Sequence, residues 1–321
     1  MNKIFTLTVN PVVDKHTTLR GFRPDIKMRC KAPIYYAGGG GINVSRAIHN
    51  LGGYSTAIYL AGGRNGKHLQ HLMSEIGIAQ EVITIDGPTR DNLTVSDKVT
   101  GLEYRFGMPG PFVKQAEWQA ILDRVDTCVQ EGDYLVASGK LPLGIPDDFY
   151  TNVANIVCKK KARMVLDTKG AALKEAVKAD LFLCKPNLSE LSDLCGVSSI
   201  SSLDMEPLVQ KFLQHHKCRV LVVSLGAMGA VLASRDSVVH IPAPVVQHKN
   251  LIGAGDSMVA GMLLALQGDR SYFEMAQYGV ACGTAATLRK GTQLCGKKDV
   301  EQLHRWMQSS TLSIDREKLK N

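Results

Sequence analysis

Six short apolar runs punctuate the chain, at residues 4–9, 56–60, 134–137, 164–166, 181–184 and 220–223, each followed by a polar or glycine-containing loop and then a helical pattern. Runs without polar alternation, separated by helices, predict strands of a buried parallel sheet covered on both faces. The expected class is therefore α/β, with a doubly wound, mostly parallel central sheet. Ligands of such sheets bind beyond the carboxyl ends of the strands. Polar residues stand at those ends: Ser138 and Gly139, Asp167, Lys185 to Asn187, and Ser224 to Gly226. They are expected to share one rim.

A different period interrupts this pattern. Between 92 and 106 apolar and polar residues alternate, with Leu93 and Val95 on one arm, Leu102, Tyr104 and Phe106 on the other, and Thr100 and Gly101 at the turn. That spacing predicts a hairpin. With the β-rich pieces at 17–19 and 33–36 it would form a small separate sheet, whose apolar face needs a cover; a lid or a dimerisation surface would supply one.

Helical spacing carries the candidate chemistry. Val259, Met262, Leu263 and Leu266 fall at i, i+3, i+4 and i+7, and the pattern stops at Gly268 and Asp269. The run Gly253-Ala254-Gly255-Asp256-Ser257 thus lies at a helix N-terminus, where amides and dipole together suit an anion. Asp256 reads either as a helix cap or as the base that takes a proton from an attacking hydroxyl. Earlier, Gly38-Gly39-Gly40-Gly41-Ile42-Asn43 precedes a helix with the face Val44, Ala47, Ile48 and Leu51. Four glycines in succession serve either close approach of a ligand and positive φ, or a flexible turn. The run lacks the third glycine of a dinucleotide fingerprint, and Ala61 and His68 break a P-loop around Gly66 and Lys67.

Bulk properties narrow the class. A chain of 321 residues, 45% hydrophobic and 21% charged, can bury a core without disulfides. The apolar N-terminal stretch is too short for a signal segment and no 18-residue apolar run follows, so a cytoplasmic enzyme without a membrane partner is expected. The eight cysteines show no C-x-x-C spacing and read mostly as small buried residues. His215 and His216 read as a helix end and not as metal ligands. A net charge of +8 raises the question of nucleic acid, but aromatic content is 6% and no basic block is interleaved with aromatics. The densest run, Lys159 to Lys161, fits a helix C-terminus. Mild basicity suits small polyanionic substrates instead.

Taken together, the glycine run with Asn43, the segment Asn187-Leu188-Ser189-Glu190 and the late Gly253-Ala254-Gly255-Asp256 resemble the PfkB carbohydrate kinase family, from about residue 4 to 307. Among its branches the bacterial minor 6-phosphofructokinases are most similar, at Thr6 to Pro11 with Asp14, at 104–106, at 108–110 and at 285–288. The resemblance implies a ribokinase-like three-layer αβα sandwich, with a kinase domain over residues 1–308, a discontinuous β-lid from about 15–36 and 88–107, and a polar tail at 309–321. It implies that Asp14, Gly39, Gly40 and Asn43 hold the sugar and that Arg90 and Arg105 bind its phosphate. Lys27 would reach the active site of a partner subunit in a homodimer built through the lid. Lys185, Asn187, Ser224 and Gly226 would line the ATP site, with Glu190 acting indirectly on Mg²⁺. Asn187 and Glu190 also read as a capping box. Gly253, Ala254 and Gly255 would hold the transferred phosphoryl group, and Asp256 would be the base. The implied reaction is phosphorylation of fructose 6-phosphate by ATP. Tagatose 6-phosphate or fructose 1-phosphate are the alternative acceptors, and a sugar-phosphate sensor without turnover is the reading from another class.

Three departures from the family pattern stand out. Lys140 replaces the second serine of a Ser-Gly-Ser contact near the sugar, so it enters as a candidate phosphate ligand. Leu251 replaces a threonine before the glycines. Arg289 and Gln293 differ from the usual residues in a loop associated with a monovalent cation, and the fixed charge of Arg289 would replace or exclude that ion. The cation site is therefore not carried over.

Overall fold

The computed structural model describes residues 2–289 and 291–318. Its strands are β1 (Ile4–Thr8), β2 (Val12–Leu19), β3 (Ile34–Gly38), β4 (Thr56–Gly62), β5 (Ala79–Ile85), β6 (Arg90–Asp97), β7 (Glu103–Gly107), β8 (Tyr134–Ser138), β9 (Arg163–Asp167), β10 (Leu181–Cys184), β11 (Cys218–Ser224), β12 (Ala230–Ala233) and β13 (Val238–Ile241). The helices are α1 (Gly40–Asn50), α2 (Gly63–Ile76), α3 (Gln115–Cys128), α4 (Phe149–Lys159), α5 (Ala171–Ala176), α6 (Leu188–Cys195), α7 (Ser202–His215), α8 (Ala254–Gln267), α9 (Tyr272–Thr287) and α10 (Lys297–Lys318). Residues 319–321, the end of the stretch read as a polar tail, lie outside the described residues.

Nine strands form the central sheet in the order β13-β12-β11-β10-β9-β8-β1-β4-β5. All neighbours are parallel up to β11, after which β12 and β13 turn antiparallel. The six apolar runs are six of these strands. Their side chains alternate between two cores: Leu135 and Ala137 face the layer of α3 to α7, whereas Tyr134 and Val136 face α1, α8, α9 and α10. This makes three layers, αβα. From β1 the chain builds outward to β4 and β5, then returns to β8 on the other side of β1. The ligand crevice is expected where the order reverses, above the ends of β1 and β8.

Four strands form the second sheet, in the order β3-β2-β6-β7. The hairpin is β6 and β7, with Thr94 opposite Arg105 and Val95 opposite Tyr104. β2 runs parallel to β6 and antiparallel to β3, so the hairpin and the β-rich pieces at 17–19 and 33–36 share one sheet, as expected. A third apolar cluster, including Val13, Ala37, Tyr59, Leu69 and Met73, joins this sheet to β4 and α2. Ile26, Ile34, Leu102 and Phe106, on and beside the sheet, remain exposed. Among the eight free cysteines only Cys184, Cys218, Cys282 and Cys295 are buried, fewer than expected. Among the described residues no helix is long and apolar enough to cross a membrane.

Candidate active site

Asp256 is the third residue of α8, and the cap is Gly253, whose φ of 70° is a left-handed conformation that glycine adopts without a Cβ penalty. Asp256 therefore does not cap the helix. Its Oδ2 accepts a hydrogen bond of 2.9 Å from Asn43 Nδ2, joining the first turns of α8 and α1. Burial, reinforced by the charge of Asp167, pushes its pKa from 3.8 up to about 7, against the opposing pull of Asn43, Lys185 and Arg46. A carboxyl group that titrates there is matched to proton abstraction near neutral pH.

Lys185, on the loop after β10, is 5% exposed and forms an ion pair of 3.0 Å with Asp167 at the end of β9. Burial opposes its charge, but Asp167, with Glu190 and Asp256 beyond, outweighs burial and holds the ammonium protonated. A Cβ placed on Gly255 would lie 3.5 Å from Lys185 Nζ. The ammonium thus faces the same helix turn as Gly253, Ala254 and Gly255, so a fixed cation and the positive end of α8 converge beside the Asp256 carboxyl group.

The glycine run has a more specific cause than the sequence indicated. Gly39 caps α1 with φ 114°. A Cβ on Gly40 would lie 2.8 Å from the carbonyl carbon of Ser138, and one on Gly41 would lie 2.6 Å from the Leu7 carbonyl oxygen. These two glycines let α1 close onto the ends of β8 and β1, which sets Asn43 over the crevice. A Cβ on Gly38 would collide with the Asp14 carboxylate.

The small sheet brings Asp14, Asn92 and Arg90 together. Asn92 Nδ2 donates to Asp14 Oδ1 at 3.0 Å, and Arg90 donates to the Asn10 carbonyl at 3.2 Å. Burial raises the Asp14 pKa, offset in part by Asn92, Arg90 and Arg46. Strand register places Arg105 opposite Thr94, two residues from Asn92 and on the same face. Its guanidinium is half exposed and paired with Glu103 at 3.3 Å. His16, next on that face of β2, lies against Gly291, so the sheet rests on the turn after α9.

The remaining expected residues fall in two places. Asn187 and Glu190 form the capping box of α6, with both reciprocal hydrogen bonds at 2.9 Å. They line a groove of about 560 Å³ with Lys140, Lys169 and Asp193. Ser224 bridges to Asn187, and Gly226, with φ 62°, opens the turn beyond it. Lys27 is not brought to this site within one chain. It lines a basic cavity of about 870 Å³ beside the small sheet, with Arg20, Arg23, Arg29, Lys31 and Lys98.

Sequence reading missed Arg46 and Asn92, and placed Asp167 on the rim without a partner. Arg46, 8% exposed, donates to the Ala37 carbonyl at 2.8 Å and to Asn43 Oδ1 at 3.2 Å. By occupying that oxygen it turns Asn43 Nδ2 toward Asp256. Its position three residues after Asn43 was the available signal.

A family model described as pfkB family carbohydrate kinase matches residues 4–299. The ATP-dependent 6-phosphofructokinase isozyme 2 of Escherichia coli is 37% identical over 308 residues, covering 96% of this chain and 99% of that protein. A 1-phosphofructokinase of Bacillus subtilis is 31% identical, covering 94% and 97%. Among solved structures, phosphofructokinase-2 from Escherichia coli in complex with potassium has a TM-score of 0.92 at 36% identity, covering 96% of this chain and all of that one. The same protein is described with fructose-6-phosphate and, separately, as a tetrameric inhibited form.

Proposed function

The chain belongs to the pfkB carbohydrate kinase family, and we propose that it transfers the terminal phosphoryl group of ATP to fructose 6-phosphate, giving fructose 1,6-bisphosphate and ADP. The observation that carries this reading is Asp256, titrating near 7, held by Asn43 beside the α8 amides and the Lys185 ammonium.

Asp14 and Asn43 hold the sugar, with a hydroxyl directed to Asp256. The proton of that hydroxyl passes to Asp256 as its oxygen bonds to the γ-phosphorus and the bond to the β-phosphate oxygen breaks. The α8 amides and Lys185 stabilise charge on the moving group. Arg90 and Arg105 take the sugar's own phosphate at the other end of the crevice. Mg²⁺ fits a sparse protein shell of this kind, because it is bound through one or two carboxylates together with substrate phosphates. Glu190 would act on it indirectly, its carboxylate keeping one oxygen free of the capping box, and when bound the ion neutralises phosphate charge. Lys140, on the same groove, would add a cation for those phosphates.

The exposed apolar residues of the small sheet support a homodimer formed through it as a lid, and the basic cavity around Lys27 supports its reach toward the partner's sugar phosphate. Sedimentation should show a dimer, and a monomer at all working concentrations would reject this assembly.

ADP release measured with fructose 6-phosphate, tagatose 6-phosphate and fructose 1-phosphate tests the assignment; preference for fructose 1-phosphate would overturn it, and no turnover with any would favour a sensor. Arg105→Ala should raise KM for the phosphosugar roughly tenfold or more, the value of a charged hydrogen bond, while kcat changes little. An unchanged KM would remove Arg105 from the phosphate site.

A further inference from the structure

One similar structure holds potassium, and the loop carrying Arg289 and Gln293 is the one associated above with a monovalent cation. The residues here do not fit such an ion. We infer that the side-chain amide of Asn250 takes the cation's place, tying the entry of α8 to the turn after α9 and making turnover independent of potassium. This rests on the kinase reading above.

Asn250 is 8% exposed. Its Nδ2 donates to the Arg289 carbonyl at 2.7 Å and to the Gly291 carbonyl at 3.0 Å, while its Oδ1 accepts from the Ile252 N–H at 2.7 Å. Only this orientation satisfies all three partners. A flipped amide would set its oxygen against two carbonyl oxygens and its NH₂ against an N–H. Two carbonyls that converge in a buried place need a positive partner, and the amide protons are that partner. The backbone N–H of Lys249 also donates to the Thr287 carbonyl at 2.7 Å.

With the neutral Asn250 amide bonded to both carbonyls, the turn leaves no site for a monovalent cation. The Arg289 guanidinium pairs with Asp299 and packs where a Cβ on Gly296 would come within 2.3 Å of it. The adjoining cavity is lined by Lys249, Leu288, Arg289, Gln293 and Asp299, two of them cationic and only Asp299 anionic. The tie matters because Ile252 immediately precedes Gly253, the cap of α8, so Asn250 is a positioning residue for the Gly253 to Gly255 amides.

The test compares potassium chloride with tetramethylammonium chloride at equal ionic strength, reading both melting temperature and ADP release. The wild-type protein should give equal values in the two salts. Asn250→Asp, nearly isosteric, puts a carboxylate beside the two carbonyls and builds a cation site. It should lose at least tenfold in kcat in tetramethylammonium, with KM for ATP changed less, and recover both kcat and melting temperature in potassium. Asn250→Ala should lose kcat likewise and regain part of it in potassium. A wild-type protein that melts higher, or turns over several-fold faster, in potassium would overturn the inference, as would an Asn250→Asp variant indifferent to the salt. Equal wild-type melting temperatures with no ADP release in either salt would sink the kinase reading while supporting this one.

Discussion

Asp256→Asn is expected to lower kcat by roughly 10²–10⁴, the usual contribution of a positioned general base, while ATP binding measured by calorimetry stays within a few-fold of wild type. The same variant should be more stable than wild type at pH 8 and indistinguishable from it near pH 4. The sign follows from proton binding. Asp256 titrates at about 7 in the folded protein against an ordinary value of 3.8, so between those values the native state holds more protons than the unfolded one. Wild-type stability therefore falls as pH rises through that window, and above pH 7 the full penalty of a buried carboxylate is present. That penalty is about 4 kcal/mol as an upper bound. Asparagine carries no such penalty, and its Oδ1 still accepts from Asn43. The wild-type kcat/KM should correspondingly show an acid limb near pH 7 in the free enzyme. Near-normal turnover in the variant, or a flat pH profile between 6 and 8, would remove Asp256 from the role of base.

Strands buried on both faces appear as uninterrupted apolar runs, and all six such runs are strands of the central sheet. β5 was not legible because it lies at the sheet edge and mixes Gln80, Glu81 and Thr84 with its apolar residues. β12 and β13, four residues each, form the opposite antiparallel edge. The α8 motif was legible because the left-handed cap at Gly253 favours glycine locally. The roles of Asn92 and Asn250 were not, since Asn92 meets Asp14 across 78 residues and Asn250 meets Gly291 across 41, whereas Arg46 was missed despite its local spacing to Asn43. Gly40 and Gly41 were recognised as unusual, but what approaches them is the protein's own backbone at the ends of β8 and β1.

The pairing of Lys185 with Asp167 yields the second large expected effect. Lys185→Met removes the ammonium that faces the α8 turn, and kcat should fall roughly 10²–10³, as when a preorganised donor to developing charge is lost. It should also move the acid limb above pH 7. Asp167 pushes the Asp256 pKa up and Lys185 pulls it down, so without the lysine only Asn43 and Arg46 oppose the push. The single variant leaves Asp167 in a crevice without its partner, and breaking a buried ion pair from one side costs about 3–5 kcal/mol. A loss of activity from that variant alone would therefore not separate chemistry from folding. Adding Asp167→Asn does separate them. The double variant has no unpaired buried charge, so its melting temperature should return toward wild type, and the acid limb should move back down because the repelling carboxylate is gone. Its kcat should stay low, because nothing replaces the cation beside the transferred phosphoryl group. Recovery of turnover together with stability in the double variant would show that Lys185 serves only to neutralise Asp167.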